Sequence, residues 1–261
     1  SATMTRAAIK IRPVIAGQLP LPIDPRRSGA AVTEDQSPCE LVVPGISPAW
    51  LRHIDYLYSG DPRPADTPCT SFRRAVDLYQ NHMVAKYLHS GIPAGRIDDH
   101  GCMVGNTNTI YYLGKRGWRR SWAMTLARGS RKAHFYGDVH LLDDEDVEVL
   151  GRTRDLFFEL YRGGAQTMLV GGIACHASGH GFLTGDGSDG LLAIVNGSGL
   201  PLSADLDIQG LADARVLFHD EGALPEAHAR SGSLSVSLAP EQMALVGLGR
   251  KAAEDCELGT N

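Results

Sequence analysis

Arg96-Ile97-Asp98-Asp99-His100-Gly101-Cys102-Met103-Val104-Gly105-Asn106, then Gly117-Trp118-Arg119-Arg120-Ser121-Trp122-Ala123-Met124, then Tyr136-Gly137-Asp138-Val139-His140-Leu141-Leu142, follow one another through the middle of the chain and are the deciding stretch for its architecture. It reads as strand, loop, helix, strand. Trp118, Trp122 and Leu126 fall at i, i+4 and i+8, one face of a helix, and that spacing favours core over sugar stacking. Asp98, Asp99 and His100 are expected at the end of the first strand, and in barrels and open α/β sheets strand ends are where chemistry is placed.

Upstream, Cys39 to Val43 is a continuous apolar run closed by Pro44-Gly45, as in a buried strand of a parallel sheet, and Ile54 to Tyr58 reads as the next strand. Phe72, Ala75, Val76, Tyr79, Met83, Val84, Tyr87 and Leu88 recur at three and four, predicting a helix to about His89 that Gly91 and Pro93 stop. A further helix is expected after Leu142, where Asp143, Asp144 and Glu145 suit an N-terminus. Strand alternating with helix is the pattern of an α/β layer.

Past Tyr161 helical periodicity fades and glycine and serine become frequent. Short β-type runs follow at Leu191–Val195, Arg215–Phe218, Ser233–Leu238 and Met243–Leu248. The expected fold class is therefore α/β followed by all-β. The divisions are an irregular segment 1–38, an α/β portion 39–163, an antiparallel β-sandwich 164–250 and a tail 251–261. The 261 residues, 43% hydrophobic and 21% charged, are ample for a sizeable core.

A net charge of −5 and no basic cluster interleaved with aromatics argue against nucleic acid as a partner. No apolar run is long enough for a membrane helix, so no membrane partner is expected. The five cysteines are odd in number and lack a Cys-x-x-Cys pair, so neither a disulfide framework nor a zinc ribbon is indicated. Compartment and oligomeric state stay open.

Asp55, Asp61, Asp98 and Asp99 lie in or just past predicted strands. Two carboxylates facing each other across a cleft can cleave a glycosidic bond, one protonating the leaving oxygen while the other attacks or activates water. The plainer reading of each is a helix cap or a loop tether. Asp98-Asp99-His100 also has the ligand types of half a metal site, but no second ligand pair stands at a recognisable spacing, and no metal or cofactor is expected. His176 and His180 are set among Ser and Gly and read as a solvated loop; Gly185 to Gly190 reads as a turn.

From Pro44 onward the motif order resembles the second half of clan D glycoside hydrolases, the α-galactosidase and α-N-acetylgalactosaminidase group. Ser47-Pro48-Ala49-Trp50-Leu51-Arg52 with Asp55 and Ser59-Gly60-Asp61 looks like the strand carrying the acid/base aspartate. Asp98 to Asn106 looks like the family's Asp-x-x-Met-x-Val-Gly-Asn stretch. Trp122-Ala123-Met124, Gly137 to Leu142 and Ser235 to Leu245 resemble the following helix, the next strand and the closing strands of the sandwich.

The resemblance implies a partial TIM-type β/α barrel with a C-terminal β-sandwich, acting as a retaining hydrolase on a carbohydrate substrate with α-linked sugars. It implies Asp61 as acid/base with Asp55 beside it, and Arg52, Trp50, Asp98, Asp99 and His100 near the sugar. That family's nucleophile is an aspartate on an earlier strand, in an aromatic-Lys-x-Asp context that residues 1–40 do not contain. The expected alternatives are therefore an incomplete chain lacking the nucleophile, or a non-catalytic carbohydrate-binding or structural protein on the same fold.

Overall fold

A computed structural model of the chain describes residues 42–44, 54–59, 72–104, 115, 117–171, 179–219, 222–253 and 258. The first unit is a parallel sheet in sequence order: β1 (Val42–Pro44), β2 (Tyr56–Tyr58), β3 (Ile97–Val104) and β4 (Lys132–Gly137). Between β2 and β3 runs α1 (Phe72–His89), and between β3 and β4 runs α2 (Trp118–Ala127). α1 ends where the sequence puts its stop. Gly91, at φ +79°, lets Ile92 N–H reach back to the Tyr87 carbonyl (3.0 Å) and Gly91 N–H to that of Leu88 (3.0 Å). That pair of bonds is the glycine-closed Schellman ending.

Two readings of the deciding stretch change. β3 does not end at His100 but runs four residues further, to Val104, because residues 102–104 pair with residues 135–137 of β4. The strand expected at residues 136–142 instead ends at Gly137. There φ is +119° and a Cβ would sit 1.6 Å from the Val104 carbonyl oxygen, so the backbones approach too closely for a side chain. Asp138 then caps a single 3-10 turn, Val139–Leu141, by accepting from His140 N–H at 3.0 Å.

α3 (Asp144–Arg162) starts as its acids predict. Asp143 accepts from Asp146 N–H (3.0 Å) while the Asp146 carboxylate accepts from Asp143 N–H (3.3 Å), a reciprocal cap. Beyond it every element among the described residues up to Gly249 is a strand: β5 (Thr167–Val170), β6 (Gly179–Gly185), β7 (Asp189–Asn196), β8 (Leu202–Asp207), β9 (Ala214–His219), β10 (Glu226–Arg230), β11 (Ser233–Leu238) and β12 (Met243–Gly249). They form antiparallel sheets in the orders β5-β6-β7-β12-β9 and β10-β11-β8.

The two sheets pack face to face. Leu192, Ile194, Val246 and Leu248 of one meet Leu206, Leu234, Val236 and Leu238 of the other in one buried cluster. The opposite face of the larger sheet carries Phe182, Leu191, Ala193, Val195 and Leu245, which share a second core with Leu57, Ile97, Met124 and Phe157 of the α/β layer. Alternation along each strand thus feeds two cores at once. After β12, α4 (Arg250–Ala253) keeps Lys251 and Ala252 buried, and Leu258 N–H bonds the Leu217 carbonyl at 3.0 Å.

Candidate functional site

The parallel sheet has a helix side and an opposite, free side on which no described helix packs, and a one-residue bulge in β3 sets which residues past Asp99 face each. Asp99 pairs with Ala133, but the next matched pair is Cys102 with Phe135, so His100 and Gly101 together stand opposite His134. One extra residue flips the strand's alternation. Asp99 and, beyond the bulge, Cys102 and Val104 all turn toward the helices, where Val104 packs on Trp118 and Val149. On the free side stand Tyr58, Asp98, His100, His134 and Tyr136, brought into register by the pairings Tyr58 to Asp98 and Met103 to Tyr136.

These five form a compact polar and aromatic cluster. Asp98, only 2% exposed, has its Oδ2 3.2 Å from His100 Nε2 and its Oδ1 2.9 Å from His134 Nε2. The Oδ1 and His134 Nε2 atoms are both buried, and neither makes a hydrogen bond, because the 2.9 Å approach lacks the alignment for one. The His100 and His134 rings stack with centroids 4.1 Å apart, Tyr58 meets His100 edge-on at 4.6 Å, and the Tyr136 hydroxyl bonds His100 Nδ1. Lower on the same face, Lys132 lies over the Tyr56 ring at 5.4 Å.

The helix side holds a different set. Arg128, 1% exposed, donates from Nη2 to Asp99 Oδ1 (2.9 Å) and to Thr125 Oγ1 (2.9 Å), from Nε to Asp99 Oδ2, and from Nη1 to Asn81 Oδ1 (3.1 Å). Gly101 N–H completes the Asp99 carboxylate at 2.8 Å. Burial pushes the nearby Cys102 thiol well above its ordinary value, so it is an inert packing group rather than a nucleophile.

Of the residues singled out in the sequence, the structure brings together Asp98 and His100. Asp99 is separated from them, facing the helices with both oxygens bound. Asp55 is exposed just before β2, at the opposite end of the strand from Tyr58, and its carbonyl accepts from Arg96 Nε at 2.6 Å. Trp50, Arg52 and Asp61 lie outside the described residues, as do His176 and the segment 1–38.

His180 is not in a solvated loop: it is 2% exposed in β6, with Nε2 3.1 Å from Asn81 Nδ2. The residues that sequence reasoning missed are His134 and Tyr136. Their signal was present in Lys132-Ala133-His134-Phe135-Tyr136, where polar and apolar residues alternate as in a strand with one solvated face.

No protein-family profile matches the chain, and no curated protein does either. Among solved structures, the chain resembles an α-amylase from H. orenii (TM-score 0.38, 11% identity, 81% of this chain and 54% of that one). It also resembles a Nostoc punctiforme debranching enzyme soaked with acarbose (TM-score 0.46, 14% identity, 80% and 50%). A third is AmyP in complex with maltose (TM-score 0.41, 11% identity, 77% and 51%). The chain spans about half the length of the proteins it resembles. None of the three is named as an α-galactosidase, and at these scores the likeness fixes neither a family nor an activity.

Proposed function

We propose that this chain is part of a glycoside hydrolase acting on α-linked sugars, with a β/α barrel portion in residues 39–163 whose free sheet face meets the substrate. The observation that carries the reading is the character of that face. A barrel interior with no ligand to hold is filled by branched apolar side chains. Here Tyr58, Asp98, His100, His134 and Tyr136 stand in their place, offering ring faces to pack on the apolar side of a sugar and polar atoms for its hydroxyls. The motif resemblance described above supports the same substrate class.

In this reading Asp61, which follows β2 by three residues, supplies the acid/base carboxyl of a retaining mechanism, with Trp50 and Arg52 from the segment before β2. Asp98 and His100 contact the sugar. The α-galactosidase specificity rests on the motif resemblance alone. Asp55 and Asp99 take no part, the first because it stands at the far end of β2 and the second because Arg128 holds it on the helix side. One observation favours the second reading, a non-catalytic carbohydrate-binding protein: among the described residues Asp98 is approached by two imidazoles rather than by a second carboxylate.

The test pairs ligand-detected NMR of the chain against methyl α- and β-glycosides with hydrolysis of aryl α-glycosides. Binding of α-glycosides that Tyr136→Ala abolishes, with turnover, supports the enzyme. Binding without turnover selects the carbohydrate-binding reading. A folded chain that binds no sugar overturns both.

A further inference from the structure

Asp98, His100 and His134 offer one ligand atom each, and these atoms all lie within 4.8 Å of one another. We propose that they form a divalent transition-metal site, with an N2O donor set assembled across β3 and β4. The proposal stands apart from the glycosidase reading, since it needs no sugar.

Three features carry it. First, spacing: two ligands bound at about 2.0–2.1 Å to one ion are roughly 2.9 Å apart at a right angle and 3.3 Å apart at a tetrahedral angle. The observed separations are 2.9 Å from Asp98 Oδ1 to His134 Nε2 and 3.2 Å from Asp98 Oδ2 to His100 Nε2, so either oxygen has an imidazole nitrogen at ligand spacing. Second, Asp98 Oδ1 and His134 Nε2 are buried, lie close together and form no hydrogen bond, an arrangement that costs about 1–3 kcal/mol for each such atom unless something else satisfies both. A cation between them would take both lone pairs.

The third feature is support around the ligands. A metal-bound histidine usually donates its second ring N–H to an oxygen, which fixes its tautomer. The Tyr136 hydroxyl lies against His100 Nδ1 in that position, leaving Nε2 to face Asp98. The two imidazoles are stacked, so they cannot rotate independently. Two imidazoles and a carboxylate suit zinc, iron or cobalt better than magnesium or calcium, and three protein ligands leave coordination positions open for water or a ligand oxygen.

The experiment uses the 261-residue chain stripped with chelator, titrated with Zn²⁺ by calorimetry and with Co²⁺ by visible absorption. One ion per chain is expected, with a cobalt spectrum of nitrogen and oxygen ligation and no thiolate charge-transfer band. His134→Ala, on a partly exposed position, should weaken binding by about 100-fold or more, and Tyr136→Phe by about 10-fold. Metal-free His134→Ala should keep the wild-type circular dichroism, which separates lost ligation from lost folding. Asp98→Asn, which keeps the volume, is the second variant. Absence of stoichiometric binding, or binding that survives both His134→Ala and Asp98→Asn, would overturn the site.

Discussion

Asn81 Nδ2 lies 3.1 Å from His180 Nε2, joining α1 to β6 across 99 residues of sequence. The same Asn81 accepts from Arg128 through its Oδ1, and Arg128 holds Asp99. A buried polar chain therefore runs from the parallel sheet through the end of α2 and α1 into the sandwich. Such a chain specifies how the layers meet, because an apolar interface could slide whereas each of these groups has one partner position.

Removing one member takes away the bonds it made to the others, away from water. Arg128→Ala strands the Asp99 carboxylate at 0% exposure, and breaking a buried pair in this way costs about 3–5 kcal/mol. Urea denaturation should show that loss. Asp99→Asn with Arg128→Met, which removes both charges, should lose clearly less than Arg128→Ala alone; an equal or larger loss would mean the pair is not the reason.

Gly101 is the residue that makes room for this pair. A Cβ there would sit 2.0 Å from Arg128 Nη2 and 2.9 Å from Asp99 Oδ1. Gly101→Ala must therefore displace a guanidinium that its bonds to Asp99 and Thr125 hold in place, at an expected cost of about 2–4 kcal/mol. In an Arg128→Ala background the guanidinium clash is gone and only the approach to Asp99 Oδ1 remains, so the same substitution should cost clearly less than in the wild type. Additive losses in that double-mutant cycle would refute the steric account.

These contacts show what the sequence could and could not reveal. α1 was legible because its apolar spacing and its Gly91 stop are local signals, and β11 because Ser233–Leu238 alternates strictly. β6 was not. Its Gly-His-Gly-Phe-Leu-Thr-Gly sequence looks like a loop, yet Gly181 is required inside the sheet, since a Cβ there would meet the Ala193 carbonyl at 2.1 Å.

The free-face cluster was half legible. Asp98 and His100 announce themselves in the polar run Asp98-Asp99-His100, two residues apart in a strand. His134, 34 residues from His100, shows in its own alternating run only that it lies in a strand, and it joins them through the lateral pairing of β3 and β4 and the bulge that sets its register. Asp98 and Asp99 take opposite roles because successive strand residues face opposite sides, and the bulge after them then keeps Cys102 on the side of Asp99.

The N-terminus of α3 should give the chain a measurable acid sensitivity. Burial alone would raise the Asp146 carboxyl, but hydrogen bonds from Lys115 and Arg119 and from the Asp143 N–H outweigh it and hold it below the usual carboxylate range. A carboxyl depressed in the folded state contributes stability that is fully present above its unfolded pKa of about 3.9 and is lost as pH falls through the folded value. Asp146→Asn should cost about 1–2 kcal/mol at pH 7 from the cap and its partners. Denaturation at a series of pH values should show the gap between the variant and wild type closing below about pH 4. A constant gap down to pH 2 would show that the charge contributes nothing.

Asp61 is the proposed acid/base. The position follows β2, whose last residue, Tyr58, is paired with Asp98 and sets its ring edge-on to His100. A carboxylic acid that must protonate a leaving oxygen near neutral pH needs a raised pKa, which partial burial beside a sugar would supply. Asp61→Asn should then depress turnover of α-glycosides with alkyl leaving groups by about 100-fold or more, while activated aryl α-glycosides, whose leaving group departs without a proton, fall much less. External azide should restore aryl-glycoside turnover in the variant, because the vacated base is no longer needed once an anionic nucleophile replaces water. Equal losses on both leaving-group classes, in a protein that still binds sugar, would remove Asp61 from the acid/base role and leave the free face as a binding surface.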